Sequence, residues 1–134
     1  NLNRLGKRNP SVYGQKTLAE IEADLAAKAK TLGLEIEFRQ SNQEGDLVNW
    51  CQEAGDKASA LIINAGGYTH TSVAIRDALE VLNIPVFEVH LSNIYAREDF
   101  RRTSLLSAHA TGVIAGLGDA GYHFALEEIA KKLT

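Results

Sequence analysis

Two histidines, a tyrosine and a short set of arginines are the side chains in this sequence best suited to moving protons or holding an anion. His70 and His90 are the general acid–base candidates, because histidine is the one side chain that titrates near neutrality without help. His90 closes an apolar run, Val86-Phe87-Glu88-Val89; its plain alternative is a strand-end histidine bonded to main chain. His70 sits in Asn64-Ala65-Gly66-Gly67-Tyr68-Thr69-His70-Thr71-Ser72, between an apolar run and a helical pattern. The paired glycines let the backbone bend sharply and approach a ligand with no Cβ in the way. The plain alternative is a glycine turn with a Thr or Ser helix cap. His109 and His123 fall in a loop-like stretch and on the closing helix. The four histidines show no close i,i+4 pairing and no cysteine pair joins them, so their spacing argues against a metal site.

Arg97, Arg101 and Arg102 are interleaved with Glu98, Asp99 and Phe100. A solvated charged turn accounts for Glu98 and Arg102. At helical spacing Arg97 and Arg101 share a face with Ile94 and Leu105, an odd place for solvated charge, and a guanidinium there could bind carboxylate or hydroxyl groups. Arg8 lies five residues before Tyr13. A nearby guanidinium favours the phenolate form of a tyrosine; the plain alternative for Tyr13 is a loop aromatic packed at a rim. Asp77, beside Arg76 in a helical pattern, reads locally as an exposed helical acid.

The elements that must position these groups follow from pattern. The chain has 134 residues, 45% of them hydrophobic, and a formal net charge of −3. That suits one domain with a proper core, excludes a mainly disordered chain, and gives no global sign of nucleic acid or a membrane surface as partner. No run is long enough to span a bilayer and no signal-peptide pattern opens the chain. The one cysteine, Cys51, fits a reducing cytosol and reads as a packed thiol beside Trp50. There is no methionine, and no apolar strand precedes Asn1.

Residues 1–16 carry Arg4, Lys7, Arg8 and Lys16 with no acid, and read as a mobile basic loop. Thr17 and Glu20 predict a capping box on a helix whose buried face is Leu18, Ile21, Leu25, Ala29 and Leu32, ended by Gly33. Leu34 to Gln40 alternates and predicts a strand with one wet face. Ser41 and Glu44 suggest a second capping box, leading a helix through Leu47, Trp50, Cys51 and Ala54. A buried strand over 61–64, a helix over 72–82, a strand over 86–90, a small-residue strand over 111–117 and a helix over 121–133 complete the alternation. This order predicts a parallel sheet covered on both faces. Ligands of such sheets bind outside the carboxyl ends of the strands. If the strands ending at Asn64 and His90 are neighbours, Asn64, His70, His90 and Ser92 converge on one crevice suited to a small polar ligand.

Several stretches in register resemble the type II 3-dehydroquinate dehydratase family: Asn1-Leu2-Asn3 with Leu5-Gly6, Pro10-Ser11-Val12-Tyr13-Gly14, Arg39-Gln40-Ser41-Asn42, Asn64 to Ser72, Glu88-Val89-His90-Leu91-Ser92-Asn93, Ala96-Arg97-Glu98 and Phe100-Arg101. The resemblance covers essentially the whole chain. It implies a flavodoxin-like three-layer α/β sandwich with a parallel five-stranded sheet of order 2-1-3-4-5, in cytoplasmic dodecamers built from trimers. It implies reversible dehydration of 3-dehydroquinate to 3-dehydroshikimate through an enolate, in the shikimate pathway or in quinate breakdown, with neither metal nor organic cofactor. Carried over by position, Tyr13 would take the C2 proton, Arg8 would stabilise its charge, and Asn1 would hold a water on the enolate. His90 would protonate the departing C1 hydroxyl. Asn64, His70 and Arg101 would bind hydroxyls, the N–H groups of Leu91 and Ser92 the carboxylate, and Asp77 would reach in from a neighbouring subunit. Removing a proton next to a ketone needs a strong base and a stabilised oxyanion, which suits an arginine-paired tyrosine on a basic lid.

The sequence departs from the family at one place. Members carry an apolar strand and Gly-Pro directly before the position of Asn1, and that strand is the centre of the sheet. The expectation is therefore a single domain over 1–134 that lacks its first strand and belongs to a longer natural chain, with a gap between the Leu34 and Leu61 strands. Two other classes can be weighed. A non-enzymatic flavodoxin-like module that binds a small anion would be favoured by loss of Tyr13, Arg8 or His90, and all three are present. Flavin binding would call for a Ser- and Thr-rich phosphate loop where this chain has a basic segment with Tyr13.

Overall fold

Thr17 starts the first long helix as its position predicts. In the computed structural model, which describes residues 1–134, the Thr17 hydroxyl accepts the Glu20 N–H at 3.2 Å while the Glu20 carboxylate accepts the Thr17 N–H. Before it, the basic segment is more structured than a loop: a 3-10 turn over Leu2–Arg4 and a helical turn over Pro10–Tyr13 (α1). Proline at the first helical position gives up an N–H that would have had no partner there. The long helix, Leu18–Thr31 (α2), buries Ile21, Leu25 and Ala29 along one stripe. It is followed by Gly33 at φ +73°, a left-handed position that glycine takes without a Cβ penalty.

The second long helix, Glu44–Lys57 (α3), differs from expectation at its start. Gln43 occupies the cap position with no side-chain cap bond; Ser41 instead accepts the Gln43 N–H and donates to Asp46. The hydroxyl therefore closes a local turn two residues too early to cap the helix. Leu61–Ile63 (β1), a 3-10 run over Gly66–His70, Val73–Glu80 (α4), Val86–His90 (β2), Gly112–Ala115 (β3) and Ala120–Leu133 (α5) follow.

The sheet is parallel in the order β1-β2-β3, with Leu61 opposite Val86 and Phe87 opposite Gly112. Leu34 to Gln40 does not join it. Its side chains alternate between half-buried and exposed as the sequence predicts, and Leu34, Ile36 and Phe38 rest against the core. What it lacks is a neighbouring strand to form a ladder, since pairing needs a partner about 4.8 Å away.

Two cores flank the sheet. Phe87 and Val89 point towards α2 and α5, packing with Ile21, Leu25, Tyr122 and Leu126. Val86 points the other way, into a cluster of Cys51, Ile63, Ile75, Leu79 and Leu106 under α3 and α4. Because side chains alternate along a strand, Glu88 and His90 follow Val86 onto that second face. Burial raises the Cys51 thiol to about 11, which leaves it a packing group.

Candidate active site

The carboxyl ends of β1 and β2 lie side by side, so the residues after Ile63 and His90 meet in one pocket. Every residue predicted for the site except Asp77 lines it: Asn1, Arg8, Tyr13, Asn64, His70, His90, Leu91, Ser92 and Arg101.

Tyr13, the last residue of α1, is brought over the pocket by the turn that Pro10 starts. Arg8 Nη2 donates to its hydroxyl at 3.0 Å, and the guanidinium carbon lies 4.2 Å from the ring centroid. A second guanidinium, Arg97, stands 5.1 Å from the same ring and donates to Ser92 Oγ at 3.1 Å. Two guanidiniums therefore flank one phenol ring.

His90 closes β2 and is buried with Glu88. Its Nε2 lies 2.5 Å from Glu88 Oε2. Burial pushes the Glu88 carboxyl towards its neutral form, but hydrogen bonds from His90, Ser107 and Ser104 outweigh it and hold the group below the usual carboxylate range. An ionised Glu88 accepts only, so Nε2 of His90 carries a proton and Nδ1 is the nitrogen left for the pocket.

His70 is oriented by the main chain. Its Nδ1 is 2.8 Å from the Thr103 carbonyl, which can only accept, so Nδ1 donates and Nε2 is the nitrogen left free. Phe100 meets its ring edge-on, and Arg101 lies 5.0 Å over Phe100 while its Nε donates to Glu98 at 3.0 Å. Asn64 is held at both ends of its amide: Oδ1 accepts the Gly66 N–H at 3.1 Å and Nδ2 donates to Tyr122 Oη at 2.8 Å. Gly66 allows this turn by taking φ +57°. Burial pushes the Tyr122 phenol up to about 12, so it stays a neutral partner for the amide. Ser72, not a threonine, caps α4 through the Ile75 N–H.

Among the turn and loop bonds of the main chain, neither Leu91 nor Ser92 donates its N–H, although both residues are buried. Two unpaired main-chain donors at the pocket wall suit an anion. Asn1 lines the same pocket and its N donates to Asn42 Oδ1 at 2.9 Å. Asp77 is the exception. It is exposed on α4, paired with Arg76 at 3.1 Å, and outside the pocket. No three His, Cys, Asp or Glu side chains gather as a metal-holding group.

Sequence reasoning missed two contributors, Glu88 and Tyr122, and placed a third, Arg97, without its partner. Glu88 was legible as the one charge inside an apolar strand, two residues from His90 and hence on its face. Arg97 was noticed by its spacing, yet only the fold turns it onto Tyr13. Tyr122 carries no local signal, since its partner Asn64 is 58 residues away.

A parallel three-layer α/β domain of flavodoxin-like type, with a cation-flanked phenol and a buried carboxylate–imidazole pair at the ends of its strands, defines an acid–base enzyme. The chain belongs to the class II dehydroquinase family, whose model matches residues 1–130. It is 56% identical over 134 residues to a 3-dehydroquinate dehydratase of Mesorhizobium japonicum, covering 99% of this chain and 93% of that one. Its structure is similar to the type II dehydroquinase of Propionibacterium acnes, with TM-score 0.95 and 45% identity over 98% of this chain and 90% of the other. It is also similar to the type II dehydroquinase of Butyrivibrio crossotus, with TM-score 0.94 and 38% identity over 96% and 90%.

Proposed function

We propose that this protein dehydrates 3-dehydroquinate to 3-dehydroshikimate, reversibly and through an enolate, as a hydro-lyase of the shikimate pathway or of quinate breakdown. The observation that carries the reading is the placement of two proton-transfer groups on one pocket: Tyr13 held by Arg8, and His90 held by Glu88. The Tyr13 phenolate takes the proton at C2 and electrons move into the C3 carbonyl. A water held by Asn1 hydrogen-bonds the enolate oxygen. The His90 imidazolium then gives its pocket-side proton to the C1 hydroxyl, which leaves as water.

The rest of the pocket binds. His70 Nε2 accepts from one hydroxyl, while Asn64 and Arg101 reach others. The free N–H groups of Leu91 and Ser92, with Arg97 close by, receive the carboxylate. The chemistry needs neither metal nor organic cofactor, since charge develops next to fixed donors. Asp77 enters from a second copy, within a cytoplasmic dodecamer built as a tetramer of trimers from a single domain over 1–134. A module that only bound an anion would have no use for both the held phenol and the buried imidazole–carboxylate pair.

An ultraviolet assay for the conjugated enone product, run with and without a chelator, tests the reading. Product should form at the same rate in both. Absence of product would refute the activity, and loss with chelator would refute the metal-free route.

A further inference from the structure

Glu88 is 1% exposed and its two oxygens have separate partners. Oε2 faces His90, while Oε1 accepts from Ser107 Oγ at 2.7 Å and Ser104 Oγ at 3.1 Å. We propose that Ser104 and Ser107 are positioning residues for the acid step, locking the Glu88 carboxylate so that it fixes the ring plane and proton placement of His90. The inference rests on the dehydratase reading above.

The hydroxyl of Ser104 has little freedom. Its oxygen accepts the main-chain N–H groups of Leu106 at 3.1 Å and Ser107 at 3.2 Å, which occupies both lone pairs. Its one hydrogen is left for Glu88. A carboxylate turns easily about its last bond, so a single bond to His90 would leave its plane loose. Two further donors on the other oxygen remove that freedom and satisfy an anion that burial would otherwise penalise. The same strap, residues 103–107, also gives its Thr103 carbonyl to His70 and its Leu105 N–H to the Thr69 carbonyl. One short segment thus orients both pocket histidines.

The titratable and charged groups around this chain are His90 on β2, His70 on the preceding turn, His109 two residues beyond Ser107, and the pocket guanidiniums of Arg8, Arg97 and Arg101. Of these, only His90 acts on Glu88 together with the two serines. Deleting the serine donors removes hydrogen bonds to the charged form, so Glu88 should protonate at higher pH.

The test compares Ser104→Ala, Ser107→Ala and the double variant with the wild-type chain, with Ser107→Thr as the hydroxyl-keeping control. The double variant should lose roughly 10- to 100-fold in kcat with KM within about twofold. The acid limb of its kcat profile should move to higher pH. With substrate deuterated at C2 the isotope effect on kcat should fall towards unity, because loss of the hydroxyl then limits the rate. Ser107→Thr should restore most of the activity. Wild-type kcat, an unchanged isotope effect or an unmoved acid limb in the double variant would overturn the proposal. Imidazole 15N resonances of His90 give a readout independent of turnover. Their response to Glu88 protonation should move to higher pH in the single variants too, and identical titrations would overturn the inference even if the wild-type chain formed no product.

Discussion

Arg8 donates to the Tyr13 hydroxyl at 3.0 Å while its guanidinium carbon lies 4.2 Å from the centre of the same ring. One cation therefore serves both the oxygen and the π face of the residue assigned as base. Tyr13→Phe keeps the ring and its cation–π contacts but removes the oxygen. Turnover should fall by about 10²- to 10⁴-fold, the usual worth of a general base. Binding of a substrate-like anion, followed by calorimetry, should be nearly unchanged. Retained turnover would remove Tyr13 from its role.

Arg97 reaches both the phenol and Ser92. Arg97→Ala should lower kcat by about 10²-fold, since a preorganised charge in a water-poor site is worth several kcal/mol, and should also raise KM because the carboxylate site loses a neighbour. Steady-state kinetics separates the two effects. A variant with wild-type kcat would make Arg97 a binding group only.

The Asn64–Tyr122 bond ties a pocket amide to α5. Tyr122→Phe should leave that amide N–H without its partner, raising KM by about tenfold and lowering stability by about 1 kcal/mol. Urea unfolding and kinetics on one preparation check both. Unchanged KM would show that Gly66 alone holds the amide.

Glu88 links the site to acid stability. Its folded carboxyl lies below the ordinary range, with burial opposing and His90, Ser107 and Ser104 causing the shift. Its contribution is therefore present above the unfolded-state value of about 4.3 and is lost as pH falls through the lower folded value. The stability gap between wild type and Glu88→Gln should be level above about pH 5 and close below about pH 4. Unfolding free energies across that range measure it, and a gap that persists into strong acid would contradict the assignment.

Asp77 makes an intersubunit prediction. Tyr13→Phe and Asp77→Ala, each impaired alone, should recover part of the activity when co-expressed. If Asp77 enters a neighbouring site as proposed, a mixed assembly contains sites with Tyr13 from one copy and Asp77 from another. No recovery in a mixed oligomer confirmed by mass would place Asp77 outside the site.

Much of this was legible in the chain because its causes are local. Thr17 and Glu20 meet three residues apart, so the capping box needs no fold to specify it. The alternation of Val86 to His90 assigns faces by strand period alone, and with it the company of Glu88 and His90. Ser41 shows the limit even of local signals, since a shift of two residues turned a cap into a loop bond.

By itself the sequence determined the long helices, the buried strands, the chemistry-bearing side chains and the position of Asn64 and His90 at strand ends. Only the tertiary structure decided which of them meet. Leu34 to Gln40 has a strand's pattern but forms no ladder, because pairing depends on a neighbour and not on the segment. Arg97 and Arg101 look equivalent by spacing, yet one turns to Tyr13 and the other to Phe100 and Glu98. Ser104 and Ser107 gain their meaning from a carboxylate 16 and 19 residues earlier. Contacts between distant residues are set by packing in three dimensions, and no local period encodes them.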